Sequence, residues 1–121
     1  MRRRCLDLIG LARRAGQAVA GFDKVRAWLS DGKAAVLIEA SDGSADGRGK
    51  ISAVGRGVTP GLPIVELFDA ATLGQTMGRD RAVHVAMTAG RLSLRFLADA
   101  GRLAEVVPAC HLAAAVGPEG Y

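Results

Sequence analysis

The sequence has little cysteine and no long apolar segment. Two cysteines occur among 121 residues, Cys5 and Cys110, and neither has a second thiol or a histidine at metal-ligand spacing. This pattern argues against a metal site and indicates a reduced, cytoplasmic setting. No stretch approaches the roughly 20 consecutive apolar residues of a membrane span, and the basic start lacks the apolar segment of a signal peptide. We therefore expect no metal, no cofactor and no membrane partner.

Nucleotide-binding and catalytic motifs are also missing. The segment SADGRGKI has Ser44 where a P-loop needs its first glycine, and Ile51 where the magnesium ligand belongs. The segment GRGVTP has Pro60 where a dinucleotide fingerprint needs its third glycine. His84 and His111 have no serine or cysteine nucleophile nearby, which favours structural roles for both. We therefore expect that the chain is not an enzyme.

Two carboxylates share one predicted turn. Asp42 and Asp46 lie in the segment SDGSADG and resemble a carboxylate pair. Aspartate at a turn is equally explained by hydrogen bonds from nearby backbone amides to its side chain. We favour this structural role for both residues.

The positive charge is concentrated in the first half of the chain. The whole sequence has 16 basic and 12 acidic residues, and residues 1–60 contain 11 of the basic and 6 of the acidic ones. Five arginines fall within the first 14 residues. Such a concentration suits a polyanion such as RNA, DNA or an anionic membrane, although it is also compatible with a solvated arginine-rich face.

Apolar runs alternate between helical and strand patterns. The residues predict helices at about 3–15, 22–30 and 91–100, a helix through Met77 that Asp69 caps, and a weaker helix around 51–54. They predict strands at 34–40, 62–68 and 82–87, with a short extended link at 17–20. This alternation predicts an α/β/α sandwich in three layers, with a mixed central sheet of about four strands. We expect one domain over residues 1–104, followed by a tail or edge element over residues 105–121.

Two glycines with different tasks separate the first two predicted helices. Gly16 stands where a left-handed helix cap would end the first helix. Gly21 stands where the second helix begins, and a helix start without a bulky side chain lets a ligand approach the backbone. Phosphate is favoured there, because the free amides and the helix dipole both attract negative charge. We expect a ligand site at Gly21.

The segment GLARRAGQAVAGFDKVRAWLSDGKAAVLIEASD, with the later TLGQTMGRDRAVHVAMT, resembles the bacterial YlxQ-like proteins. This family includes the archaeal ribosomal protein seven-Ae and the eukaryotic ribosomal protein thirty. The similarity spans about residues 5–100. It implies an α/β/α fold that recognises kink-turns, in which a sheared guanine–adenine pair meets the start of helix two. It also places the loop at 88–92 beside that helix start. The predicted RNA-binding residues are Arg13, Arg14, Gly21, Phe22, Asp23, Lys24, Ala27, Lys33, Asp42, Arg79, Ala89, Gly90 and Arg91.

The sequence departs from the family pattern at three of these positions. RNA-binding members usually have asparagine, glutamate and lysine where this chain has Asp23, Lys24 and Ala27. Asp23 can accept hydrogen bonds from a guanine edge but lacks the donor of asparagine. Lys24 restores a positive charge one residue later. We therefore expect RNA binding and leave kink-turn specificity open.

The expected partner is structured RNA, ribosomal or kink-turn-like, with the ribosome or translation factors as further candidates. Two alternatives share the fold: a protein-interaction module without RNA specificity, and an accessory domain of an RNA-modifying enzyme. In related alphaproteobacterial proteins, such a segment follows a small YlxR-type domain. We expect this sequence to be one half of such a two-domain protein or an expressed piece of it.

Overall fold

The computed structural model describes residues 2–104 throughout and the backbone of residues 105–106 and 111–113. Within them, five helices and five strands follow one another. The elements are α1 (Arg2–Arg14), β1 (Ala18–Ala20), α2 (Phe22–Ser30), β2 (Ala34–Ala40), α3 (Ala45–Val58), β3 (Ile64–Phe68), α4 (Ala70–Thr76), β4 (His84–Thr88), α5 (Arg91–Val106) and β5 (His111–Ala113).

The strands form one mixed sheet in the order β1-β4-β2-β3-β5. β2 and β3 are parallel, and the other three pairs are antiparallel. The predicted α/β class with a mixed central sheet is confirmed. β5 pairs with β3 at the sheet edge. It belongs to the segment 105–121, and most of that segment, including Cys110, lies outside the residues that the structure describes.

Successive residues of β2 point to opposite faces of the sheet, and this alternation builds two separate cores. Val36 and Ile38 pack in a core with α1, α4 and α5. Leu37 packs in a second core with α2 and α3. The sheet is therefore covered on both faces, as the apolar run AAVLIEA predicts for a strand buried on both sides.

Most predicted boundaries agree with the structure, and four elements differ. β3 begins at Ile64 rather than residue 62, and β4 begins at His84 rather than residue 82. α3 extends from Ala45 to Val58 despite four glycines, because Ser44 caps its start by accepting a hydrogen bond from Gly47 N at 3.0 Å. α5 continues beyond Ala100 to Val106, because Leu103 is also buried in the core of that sheet face.

Candidate nucleic-acid interface

The start of α2 has no side-chain cap. Gly21 occupies the N-cap position with φ 101° and ψ 149° and makes no side-chain capping bond. This positive φ favours glycine. The Gly21 N–H donates to the His84 carbonyl oxygen at 3.0 Å, which ties the helix start to the beginning of β4. The first-turn amides that follow have no intrahelical acceptor, so this end of α2 favours an anion.

Three cations from three different elements surround this helix start. Arg13 from the end of α1, Lys24 from α2 and Arg79 from the segment after α4 line a cavity of about 200 Å³. A wider concavity of about 600 Å³ shares Lys24 and Arg79 and adds Gly21 and Phe22. We call this surface, formed by Arg13, Gly21, Phe22, Lys24 and Arg79, the α2 corner.

Glycines allow the two arginines to approach the corner. A Cβ atom on Gly78 would lie 2.5 Å from Nη2 of Arg13, and one on Gly21 would lie 3.4 Å from Nη1 of Arg79. Gly74 lies against the backbone of the segment that carries Arg79. The glycines in LG…MGR thus have a packing role at the corner.

A neighbouring pocket of about 400 Å³ shares Gly21, Phe22 and Arg79 with the α2 corner. Its polar walls come from Ser44, Arg79, Arg81 and His84. The Phe22 ring also lines it and meets the His84 ring edge-on, with ring centroids 5.7 Å apart. We call this the His84 pocket.

A buried carboxyl group, that of Glu39, lies behind His84. Nδ1 of His84 lies 3.0 Å and 2.8 Å from the two carboxylate oxygens of Glu39, and the two residues are cross-strand partners in β2 and β4. Glu39 is 0% exposed. Burial raises the pKa of the Glu39 carboxyl above its ordinary value, against the opposing effect of the His84 hydrogen bond.

The sequence predicts only a structural role for His84, but its side chain also lines a pocket. Sequence reasoning missed the partnership, because Glu39 is the only charged residue in an apolar strand and stands 45 positions away. The polar residue inside AAVLIEA was the available signal, since a buried charge requires a partner.

The structure brings only some of the predicted site residues together. Asp23 lines the wider concavity with the α2 corner, and Ala27 is exposed one turn further along α2. Arg14 instead lines a separate groove of about 470 Å³ between α1 and α4, to which Arg13 also contributes. Asp42 accepts a hydrogen bond from Ala70 N at 2.9 Å, which fixes the start of α4.

The expected position of the 88–92 loop is wrong. Thr88 N donates to the Gln17 carbonyl oxygen, whereas Gly21 N bonds to His84 at the other end of β4. Because β1 and β4 are antiparallel, the loop with Ala89, Gly90 and Arg91 lies roughly 13 Å away along the strand. The segment before β4, not the loop after it, lies beside the start of α2.

Lys33 also lies away from the start of α2. It follows the end of that helix, and its Nζ stands 4.7 Å from the centre of the Trp28 ring. This cation–π contact gives Lys33 a role in covering Trp28.

Within the described residues, no group of three or more histidine, cysteine, aspartate or glutamate side chains is arranged to hold a metal. Across the same part of the chain, no helix has both the length and the apolar character needed to cross a bilayer.

The fold and the α2 corner define a small α/β/α domain with an uncapped, cation-lined helix start. No protein-family model matches the chain. The RNA-binding protein YlxQ of Enterococcus faecium is 32% identical over 82 residues, which cover 68% of this chain and 78% of that protein. The chain therefore belongs to the YlxQ family of the ribosomal protein seven-Ae group, which confirms the resemblance seen in the sequence.

Solved structures have the same fold. A Bacillus halodurans protein of unknown function matches with a TM-score of 0.72 and 23% identity, over 80% of this chain and 96% of that one. The Giardia lamblia 15.5kD RNA binding protein matches with a TM-score of 0.65 and 15% identity, over 88% of this chain and 89% of that one. The relatives whose names state a function are RNA-binding proteins and not enzymes, in agreement with the sequence prediction.

Proposed function

We propose that this chain binds structured RNA through the α2 corner. The main support is that three cations from separate parts of the chain, Arg13, Lys24 and Arg79, line one cavity beside the uncapped start of α2. Cations around free helix amides attract phosphate. The YlxQ relative and the Giardia neighbour are both RNA-binding proteins by name, which supports RNA as the polyanion.

Phe22 favours RNA with unpaired bases over a regular duplex. Its side chain remains 39% exposed although it is a large apolar residue. It lies between the cation-lined concavity and the His84 pocket. An exposed ring beside phosphate-binding cations suits a base that has left its stack, which duplex DNA does not offer.

The second part of the proposal concerns the type of RNA that the chain binds. Asp23 stands in the first turn of α2, on the wall of the wider concavity. A carboxylate only accepts hydrogen bonds, so it suits the amino and imino groups of a guanine edge. Its charge opposes nearby phosphate, and Lys24 offsets that charge. We propose a kink-turn-like or ribosomal RNA as the ligand.

Cytoplasmic translation is the setting that we propose, with the ribosome or translation factors as partners. The division into a binding domain over 1–104 and an edge element over 105–121 is part of the same proposal. All residues of the α2 corner lie within 1–104.

Matched charge variants test the proposal. Arg13, Lys24 and Arg79 are changed together to glutamine, and the control changes three exposed cations of α3 and α5, Lys50, Arg56 and Arg95. Both variants remove three positive charges. Affinity for a labelled kink-turn RNA and for ribosomal RNA fragments is then measured at several salt concentrations.

We expect the corner variant to bind weakly, and its log affinity to depend on log salt with a slope smaller by about 2 to 3. The control should keep most of the wild-type affinity. Equal losses in both variants would show that only net charge matters. Unchanged affinity in the corner variant would favour the protein-interaction module instead.

A further inference from the structure

The His84 pocket is lined by several side chains that can donate hydrogen bonds. Arg79 and Arg81 line it, the Ser44 hydroxyl is beside them, and Glu39 stands behind the ring and does not line the pocket. The His84 side chain is 9% exposed. Within the described residues, Nδ1 makes both hydrogen bonds of the ring, and Nε2 has no partner.

The protons of the Glu39–His84 pair decide what Nε2 offers. With two protons the pair is neutral overall, either as carboxylate and imidazolium or as carboxylic acid and neutral imidazole. Nε2 carries a proton in both arrangements. With one proton, it stays on Nδ1 between the ring and the carboxylate. The pair is then anionic, and Nε2 becomes an acceptor.

Burial favours the state in which Nε2 is a donor. Glu39 is 0% exposed, and an uncompensated buried anion is costly. The charged groups around the pair are Glu66 on β3 and Arg48 on α3, which act on Glu39 in opposite directions. Arg79 and Arg81 stand in the pocket wall, and Asp23 and Lys24 are in the first turn of α2. The arginines repel an imidazolium but attract an anionic ligand, and such a ligand stabilises the Nε2 proton.

We propose that the Glu39–His84 pair makes His84 a specificity-determining residue of the RNA site, with Nε2–H donating to an acceptor oxygen of the bound RNA. This inference rests on the proposed RNA-binding function. The oxygen belongs either to a phosphate or to a base carbonyl, and both accept the same bond. Glu39 is a positioning residue, because it holds the ring through Nδ1 and does not line the pocket.

The test combines the ring protonation state with RNA affinity. Nitrogen chemical shifts of the His84 ring in the ¹⁵N-labelled full chain report whether Nε2 carries a proton at each pH. Affinity for a labelled kink-turn RNA is measured over the same pH range for the wild type, His84→Gln and Glu39→Gln. The control is His111→Gln, which removes the other histidine of the chain.

We expect the affinity of the wild type and of His111→Gln to fall about tenfold over the pH interval in which Nε2 loses its proton, as for one hydrogen bond to a charged group. His84→Gln should lack this fall, and Glu39→Gln should bind RNA more weakly than the wild type, because the ring loses its carboxyl partner at Nδ1. Because the pair is neutral overall, His84→Gln should leave the salt slope nearly unchanged. If the acceptor is a phosphate, a methylphosphonate at one position of the RNA should abolish the fall; with a base carbonyl, no single methylphosphonate should do so.

A pH dependence that His84→Gln retains would overturn the inference and leave the proposed function standing. So would an unprotonated Nε2 at a pH where the wild type binds RNA tightly. This second result needs no variant, so it decides the matter even if a substituted chain fails to fold. A wild type that binds no RNA at any pH would overturn the proposed function and this inference together.

Discussion

The guanidinium of Arg13 occupies the space in which a side chain on Gly78 would begin. A Cβ atom on Gly78 would lie 2.5 Å from Nη2 and 2.8 Å from the central guanidinium carbon of Arg13. Gly78 also has φ 71°, a conformation that glycine adopts without strain. The position of a cation at the end of α1 therefore depends on the absence of a side chain at Gly78, which follows α4 much later in the sequence.

Gly78→Ala should displace Arg13 and weaken RNA binding. We expect about 1 kcal/mol of destabilisation from the positive φ and an affinity lower by about fivefold, the equivalent of 1 kcal/mol. Gly61→Ala is the matched control, since Gly61 has φ 81° and a Cβ there would meet nothing within 4 Å. Thermal melts and RNA titrations of both variants check this. If both lose affinity equally, Arg13 is not positioned in this way.

Gly74→Ala should disturb the segment that carries Arg79. A Cβ on Gly74 would lie 2.7 Å from the Arg79 carbonyl oxygen and from the backbone of Arg81. Backbone cannot move aside as a side chain can, so we expect a loss of about 1 to 3 kcal/mol in stability and weaker RNA binding.

Gly101→Ala is the control for this helix glycine. Gly101 lies in α5, where an added Cβ meets nothing within 4 Å. We expect it to stabilise the fold by about 0.5 to 1 kcal/mol, measured by chemical denaturation. A stable Gly74→Ala variant with unchanged affinity would contradict the packing role of Gly74.

The buried carboxyl of Glu39 should make stability depend on pH. Burial raises the pKa of Glu39 in the folded chain above the ordinary 4.5. Between pH 4.5 and the folded pKa, the folded chain therefore holds a proton that the unfolded chain releases. The contribution of Glu39 to the free energy of unfolding is therefore fully present below about pH 4.5. It is lost as the pH rises through the folded pKa, by up to about 1.4 kcal/mol per pH unit.

Glu39→Gln removes this titration and keeps a polar partner for His84. We expect the stability of the wild type relative to this variant to decline as the pH rises from 4.5, measured by denaturation at a series of pH values. A relative stability that increases over the same range would mean that the Glu39 pKa is lowered by folding.

Three substitutions test whether the start of α2 can recognise a kink-turn. Asp23→Asn, Lys24→Glu and Ala27→Lys together restore the residues that the family resemblance implies. Asparagine adds a donor, glutamate accepts from the guanine edge, and lysine reaches a carbonyl or phosphate oxygen. One restored edge contact is worth about 1 to 3 kcal/mol by analogy with base readout in DNA, so affinity for a kink-turn should rise about tenfold.

The wild type should then bind a kink-turn only slightly better than a plain duplex, measured by titration of both RNAs. Tight and selective binding by the wild type would show that Asp23 and Lys24 already read the RNA. No gain in a triple variant whose circular dichroism is unchanged would mean that the site has another geometry.

Much of the fold could be predicted because its signals are local. The apolar run of β2 and the stripe of α2 both lead to the observed bounds of Ala34–Ala40 and Phe22–Ser30. The bounds of α3 were harder to predict, because glycine lowers helix propensity and the Ser44 cap and the buried Ile51 compensate only in the folded chain.

The candidate site was harder to predict because it depends on strand register. The glycine at the start of α2 and its nearby cations are visible in the sequence. Which end of β4 lies beside Gly21 is not, since the antiparallel pairing of β1 with β4 decides it. The register of β2 against β4 brings Glu39 opposite His84, a contact that no local spacing indicates.

The most direct test of the account is backbone amide chemical-shift mapping of the full ¹⁵N-labelled chain with a kink-turn RNA. We predict that the largest changes occur at Gly21–Lys24 and at Gly78 and Arg79. Ala89–Arg91, at the far end of β4, should change little. Changes concentrated at Ala89–Arg91 with none at Gly21–Lys24 would contradict RNA binding at the α2 corner.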